Sequence, residues 1–282
     1  MSWTTLISAR ELATAIDDCV VVDCRHELLN PDAGPQAYAR GHLPGARFMH
    51  QDHDLAGPKN GSNGRHPLPD RDAMAARLRA AGLDRGQQLV ACDDHGGMYA
   101  ARLWWLARWL GHAPVAILDG GMSAWKAAGF PLETAVPAPR QGNFVAQASL
   151  VRAVDTDAIV GQLGSSRFVV VDLRAAERYE GQTEPIDPVA GHIPGALNRP
   201  FQQNLGADGR FKPADVLRRE YESLLAGRSP EDVVFHCGSG VVACHSVIAM
   251  ELAGLAGSAL YPGSWSEWCA DPARPVATGP RP

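Results

Sequence analysis

The residues best placed to do chemistry lie in one stretch, Val233-Val-Phe-His-Cys-Gly-Ser-Gly-Val-Val-Ala-Cys-His245. The β-branched run from Val233 to Phe235 predicts a buried strand and Ser246 to Leu255 an apolar helix, so residues 237–242 form the turn between them. That turn sets the Cys237 thiol at a helix N-terminus, whose partial positive charge favours an anion by about 0.3–1 kcal/mol, and up to about 2 kcal/mol when partly buried. Gly238 and Gly240 let the backbone curl, so that successive N–H groups through Val241 and Val242 face whatever the sulfur carries. The chemistry implied is nucleophilic attack by a thiolate, with main-chain donors holding the transferred group. A buried structural thiol needs no Gly-Ser-Gly loop between strand and helix. Cys19, Cys24, Cys92, Cys244 and Cys269, by contrast, are expected to be small buried hydrophobes.

The elements that must position this loop occur twice. Val21-Val-Asp-Cys-Arg25 returns as Val170-Val-Asp-Leu-Arg174, and Gly41-His-Leu-Pro-Gly-Ala46 as Gly191-His-Ile-Pro-Gly-Ala196. Ile117-Leu-Asp-Gly-Gly-Met-Ser-Ala-Trp125 parallels Leu260-Tyr-Pro-Gly-Ser-Trp-Ser-Glu-Trp268. Three landmarks kept in order at this spacing mark a duplicated domain. Within each half, short apolar strands alternate with helical patterns, which predicts an α/β fold with a mainly parallel sheet flanked by helices.

In the first half Ser8 caps a helix from Ala9 to Ile16, followed by a strand from Val20 to Asp23. Asp70 caps a helix from Arg71 to Ala81 that Gly82 stops. A strand from Gln88 to Cys92 comes next, and then a helix from Ala100 to Leu110 whose Trp104, Trp105 and Trp109 belong to the core. A short strand, Ala116 to Leu118, and a helix, Met122 to Ala128, close the half. The second half repeats the plan with helix Thr156 to Gln162, strand Phe168 to Asp172 and helix Pro213 to Leu225. Domain boundaries are expected at 1–130 and 150–282, with 131–149 an exposed Pro-rich connector and 272–282 an irregular tail. Sliding the halves together sets Asp93 opposite Cys237, so one half holds the nucleophile and the other has lost it.

The 282 residues suffice for two ordinary cores, and 45% apolar with 20% charged residues is the composition of a soluble globular chain. A net charge of −5 with scattered basic residues gives no reason to expect nucleic acid or a membrane as partner. The start of the chain lacks the pattern of a secretory signal, and no window approaches the roughly 18 apolar residues of a membrane span. A cytoplasmic location is expected. Six cysteines without a CxxC pair fit neither a disulfide scaffold nor a zinc site, so neither metal nor cofactor is expected.

The two repeated motifs, the Cys237-Gly-Ser-Gly-Val loop and Gly263-Ser-Trp-Ser-Glu-Trp268 together resemble the tandem rhodanese-domain sulfurtransferases across almost the whole chain. The resemblance implies two rhodanese-like domains, the N-terminal one non-catalytic and the C-terminal one cycling through a Cys237 persulfide. The partners it implies are a small anionic sulfur donor, a thiol or cyanide acceptor and a thioredoxin-like reductant. Thiosulfate enzymes of the family carry positive side chains just after the cysteine, whereas 3-mercaptopyruvate enzymes have Cys-Gly-Ser-Gly-Val-Thr. This loop resembles the second form, with Val242 in place of Thr.

The resemblance also assigns a relay of Ser239, His66 and Asp52, which suits expulsion of an enolate that needs a proton. It assigns Arg178 to anion binding, for which a planar guanidinium is suited. The second arginine that such enzymes carry about nine residues later is missing from Gly181-Gln-Thr-Glu-Pro-Ile-Asp-Pro188, which leaves donor preference open between 3-mercaptopyruvate and thiosulfate. Arg25 and Arg174, present in both halves, are expected to be structural.

Three rival readings remain. A phosphatase of the same fold needs an arginine closing the loop, where Ala243 stands. A persulfide-carrying module would hold sulfur for a protein without turning over small donors. A redox switch through Cys244 meets a separation of about 10 Å along a continuous helix, beyond disulfide reach.

Overall fold

The computed structural model describes residues 2–165 and 167–282. The chain divides into two compact units: residues 1–57, 68–150 and 207–211 in the first, and residues 58–67, 151–206 and 212–282 in the second. The first sheet contains β1 (Leu6–Ile7), β2 (Cys19–Asp23), β3 (Arg47–Phe48), β4 (Gln88–Cys92) and β5 (Val115–Leu118), in the order β1-β5-β4-β2-β3. The second contains β6 (Arg152–Ala153), β7 (Val169–Asp172), β8 (Leu197–Asn198), β9 (Val233–His236) and β10 (Ala259–Leu260), in the order β6-β10-β9-β7-β8. Every pairing within both sheets is parallel.

Each sheet is covered by helices, which is why its central strands read as continuous apolar runs rather than alternating ones. In the first unit these are α1 (Ala9–Ala15), α2 (Ala33–Arg40), α3 (Arg71–Ala80), α4 (Ala100–Trp109) and α5 (Gly121–Ala127). In the second they are α6 (Thr156–Val160), α7 (Ala176–Tyr179), α8 (Ala214–Leu225), α9 (Ala243–Leu252) and α10 (Ser264–Trp268). Ile7, Leu12, Val21, Val90, Leu118 and Trp125 anchor the first core, and Ile159, Val170, Ile193, Val234, Trp265 and Trp268 the second. Ser8 caps α1 in a reciprocal box with Glu11, and Asp70 accepts the amides of Asp72 and Ala73 at the start of α3. Trp104 and Trp105 are fully buried, and Trp109 lies under the Arg71 guanidinium, 4.8 Å from its ring centre.

The duplicated motifs have one physical explanation, repeated in each unit. The strand aspartate pairs with the arginine two residues on, Asp23 with Arg25 and Asp172 with Arg174, at 2.6 and 2.7 Å. The same guanidinium donates to the carbonyl that opens the Gly-His-x-Pro-Gly-Ala turn, Gly41 or Gly191. The turn's histidine stacks on a tyrosine, His42 on Tyr38 and His192 on Tyr179, with ring centres 3.9 and 3.7 Å apart. Each tyrosine hydroxyl then donates to the last residue of the turn, Ala46 or Ala196. Arg25 and Arg174 thus tie strand to turn through buried charges. Removing either partner would leave a buried charge unpaired.

The connector is largely exposed and the tail irregular, as their composition predicts, yet both segments are fastened to their units. In the connector the amides of Gly142, Phe144 and Gln147 donate to Arg79, Leu83 and Leu110, and the Phe144 side chain is buried. The tail is tied as well, because Ala277 and His192 exchange backbone hydrogen bonds just as Glu133 and His42 do in the first unit. Proline-rich composition reports the absence of regular structure, not the absence of packing.

Candidate active site

In the second sheet β7 has β8 on one side and β9 on the other, with β9 leading on to β10. Loops at the carboxyl ends of strands beside such a reversal are where open α/β sheets bind ligands. Cys237 is the first residue after β9. α9 begins at Ala243, three residues earlier than the polar Cys-His-Ser sequence implies. Those polar groups are accommodated inside: the Asn204 side chain meets His245 Nδ1 at 3.1 Å and Ser246 Oγ at 3.0 Å. The turn spans residues 237–242, as expected, and the helix N-terminus follows it directly.

The loop is held by its backbone. The Cys237 amide donates to Ser264 Oγ at 3.1 Å, and the Cys237 and Gly238 carbonyls accept the amides of Trp265 and Ser266 at 3.0 and 2.9 Å. Ser264 adopts φ +55°, a left-handed conformation that costs a non-glycine residue of order 1–3 kcal/mol. The first unit has Gly121 there, at φ +54°. A hydroxyl is thus kept under the Cys237 amide despite the strain. Gly240 sits at φ +76°, and a Cβ on it would lie 2.2 Å from the Pro262 carbonyl oxygen. Gly240→Ala is expected to cost several kcal/mol, adding left-handed strain to an overpacked backbone contact; thermal unfolding should show a clear drop in midpoint.

Around this loop the structure brings together residues that are distant in sequence. His66 belongs to the segment 58–67, which folds with the second unit, and its Nδ1 lies 2.7 Å from Ser239 Oγ. His66, Ser239 and Cys237 are all buried, at 3%, 7% and 3% exposure. Arg178, in the last turn of α7, bonds Glu184 through Nε and Nη2 and Asp187 through Nη2 at 3.2 Å. Burial works to raise the Glu184 carboxyl, but the Arg178 fork and the Asp187 amide outweigh it and hold Glu184 below the usual range. Burial raises Asp187 against the pull of Arg65, and neighbouring Glu184 adds to the rise.

Asp52 lies in the first unit, where its carboxylate is 3.8 Å from His26 Nε2 and its amide donates to His50 Nδ1. His26, His50 and Asp52 present potential metal-ligand atoms within 4.8 Å of one another. Both ring nitrogens of His50 are already engaged, Nδ1 by the Asp52 amide and Nε2 by the Pro31 carbonyl.

Sequence reasoning missed Arg65, Ser264, Ser266 and Asp187. Arg65 pairs with Asp187 and donates its own amide to Ser266 Oγ at 3.0 Å. Its one sequence signal is its position beside His66.

The first unit supplies an internal control. Asp23 pairs with Cys92 across β2 and β4, and Asp172 pairs with His236 across β7 and β9, so Asp93 occupies the position of Cys237. The Asp93 carboxylate accepts four main-chain N–H bonds: His95 and Gly97 on Oδ1, Tyr99 and Ala100 on Oδ2, all at 2.8–2.9 Å. This turn is an anion cradle, filled in the first unit by its own side chain. Burial pushes Cys24 and Cys92 well above the usual range and Cys19 and Cys269 up to about 11, so these four stay protonated at neutral pH.

Fold and site together define a duplicated α/β protein with a cysteine loop at the reversal point of its second sheet. Residues 8–128 and 155–271 match the Rhodanese-like domain, and the chain belongs to that family. It is 46% identical over 283 residues to a Pseudomonas aeruginosa protein named "Probable 3-mercaptopyruvate sulfurtransferase", covering 99% of this chain and 100% of that one. It is 33% identical over 238 residues to the thiosulfate sulfurtransferase of Bos taurus, covering 82% of this chain and 78% of that one. Among solved structures, 3-mercaptopyruvate sulfurtransferase from Leishmania major superposes with a TM-score of 0.84 at 29% identity, over 94% of this chain and 74% of that one. Among the described residues no helix is long and apolar enough to cross a membrane.

Proposed function

We propose that the protein is a sulfurtransferase in which Cys237 takes a sulfane sulfur from a small anionic donor, 3-mercaptopyruvate in preference to thiosulfate, and passes it to a thiol or cyanide. What carries this reading is a thiol seated where the first unit seats a carboxylate bonded by four main-chain amides. The loop from Gly238 through Gly240, Val241 and Val242 supplies the corresponding donors to the persulfide.

The Cys237 sulfur attacks the donor sulfur and a new S–S bond forms. With 3-mercaptopyruvate the C–S bond breaks, its electron pair goes to carbon as the pyruvate enolate, and that carbon then takes a proton. With thiosulfate the S–S bond breaks and sulfite leaves with the pair. Either way the acceptor removes the outer sulfur and restores the thiolate, and a thioredoxin-like protein has the dithiol chemistry to act as acceptor.

The contact between His66 Nδ1 and Ser239 Oγ favours 3-mercaptopyruvate, because only that donor's leaving group needs a proton. The six free thiols accord with a cytoplasmic setting.

Steady-state turnover with cyanide as acceptor tests the reading, and kcat/KM is expected to be higher for 3-mercaptopyruvate. A higher value for thiosulfate would make the protein a rhodanese proper. No turnover with either donor would leave a persulfide carrier. Arg178→Ala is expected to raise KM for 3-mercaptopyruvate roughly 10-fold or more, the loss of a charged hydrogen-bond pair, with kcat nearly unchanged.

A further inference from the structure

Resting on that reading, we propose that Arg65 and Arg178 together clamp the donor's anionic group, with Asp187 as a resident counter-ion that the donor displaces. The two guanidiniums converge on the residue next to the nucleophile. A Cβ built on Gly238 would lie 2.7 Å from Arg65 Nη2 and 3.8 Å from both terminal nitrogens of Arg178. Gly238 is thus the floor under two positive charges. Asp187 bridges them, Oδ1 to Arg65 Nη1 and Oδ2 to Arg178 Nη2. The pair already holds a carboxylate, which shows the chemistry it suits: a planar, bidentate anion, or a sulfonate-like group of the same span.

The two acids are not equivalent. Glu184 is committed to the fold, accepting from Arg174, Arg178 and the amides of Ile186 and Asp187. Among the described residues, the Asp187 carboxylate accepts hydrogen bonds only from the two guanidiniums. It is the exchangeable one. Arg65 also has donor capacity to spare, since its Nε–H is buried and meets no acceptor among the described residues. Its backbone is fixed by the Ser266 hydroxyl, and Gly64 packs so tightly on the Gly263 carbonyl that a Cβ would lie 2.8 Å from it. Arg65 therefore approaches the loop from a preset position, beside the histidine that meets Ser239.

Calorimetric titration of the whole protein with pyruvate, alongside steady-state kinetics with 3-mercaptopyruvate, tests the clamp. Arg65→Ala is expected to weaken pyruvate binding and raise KM roughly 10-fold or more while kcat moves by less than about 3-fold, with Arg65→Lys in between because it keeps the charge without the fork. Asp187→Asn, which removes the competing anion, is expected to tighten pyruvate binding by about 3-fold or more. Wild-type pyruvate affinity in Arg65→Ala, or no saturable pyruvate binding by the wild type, would overturn the clamp. An unchanged or weaker affinity in Asp187→Asn would overturn the counter-ion role. Should Arg65→Ala unfold at the assay temperature, Arg65→Lys decides alone. Because pyruvate binding needs no sulfur transfer, a wild type that binds pyruvate but never forms a persulfide would sink the sulfurtransferase reading and leave the clamp standing.

Discussion

Cys237→Ser is expected to abolish sulfur transfer from 3-mercaptopyruvate and thiosulfate alike, by at least about 10³-fold in kcat/KM, since removing a covalent nucleophile leaves only binding and electrostatics behind. The fold should survive the change. Serine is nearly isosteric, and the loop is fastened through the Cys237 amide and carbonyl, to Ser264 and Trp265, not through the sulfur. An unchanged unfolding midpoint with activity at background is the signature of a lost nucleophile. Cys244 provides the contrast. From the first turn of α9 its Sγ donates to the Gly240 carbonyl of the preceding turn at 3.4 Å, and Cys244→Ser is expected to keep most of the activity.

Ser239→Ala is expected to lower kcat/KM for 3-mercaptopyruvate by about 10²–10⁴-fold, the usual contribution of a positioned proton donor, and to change thiosulfate turnover far less. The asymmetry follows from the leaving groups. An enolate must be protonated at carbon, whereas sulfite departs as a stable anion. His66→Gln should follow Ser239→Ala in direction. Equal losses with both donors would remove the relay and leave Ser239 a structural part of the turn.

Much of the frame was legible because it depends on local chemistry. Gln88–Cys92 has the expected bounds of its strand, and the cap at Asp70 begins a helix as its side chain dictates. The duplication was legible because a buried Asp–Arg pair, a Gly-His turn and a stacked tyrosine tolerate few substitutes in either copy. The two-residue strands β1, β3, β6, β8 and β10 were not, since a pair of residues has no periodicity to read. Helix α2 was missed because Gly34 and Pro35 within it argue against a helix by propensity.

The site was legible where it is contiguous and hidden where it is not. Cys237 and Gly238 stand in one loop and are read from the strand–turn–helix pattern, whereas Ser239 beside them takes its role from the family resemblance. Arg65 and Ser264 reach that loop from segments far away in the chain, and nothing local says that residues 58–67 fold with the second unit. Asp187 illustrates the difficulty best. Read along the sequence it marks a missing arginine; in the folded chain it is the acid that joins Arg178 to Arg65.

The most direct test is the mass of the Cys237 peptide after the intact protein meets 3-mercaptopyruvate without an acceptor. A persulfide adds about 32 Da to that peptide, and the gain should vanish when cyanide follows. A Cys237 peptide of unchanged mass, from protein that nevertheless turns the donor over, would contradict a sulfur carried on this residue.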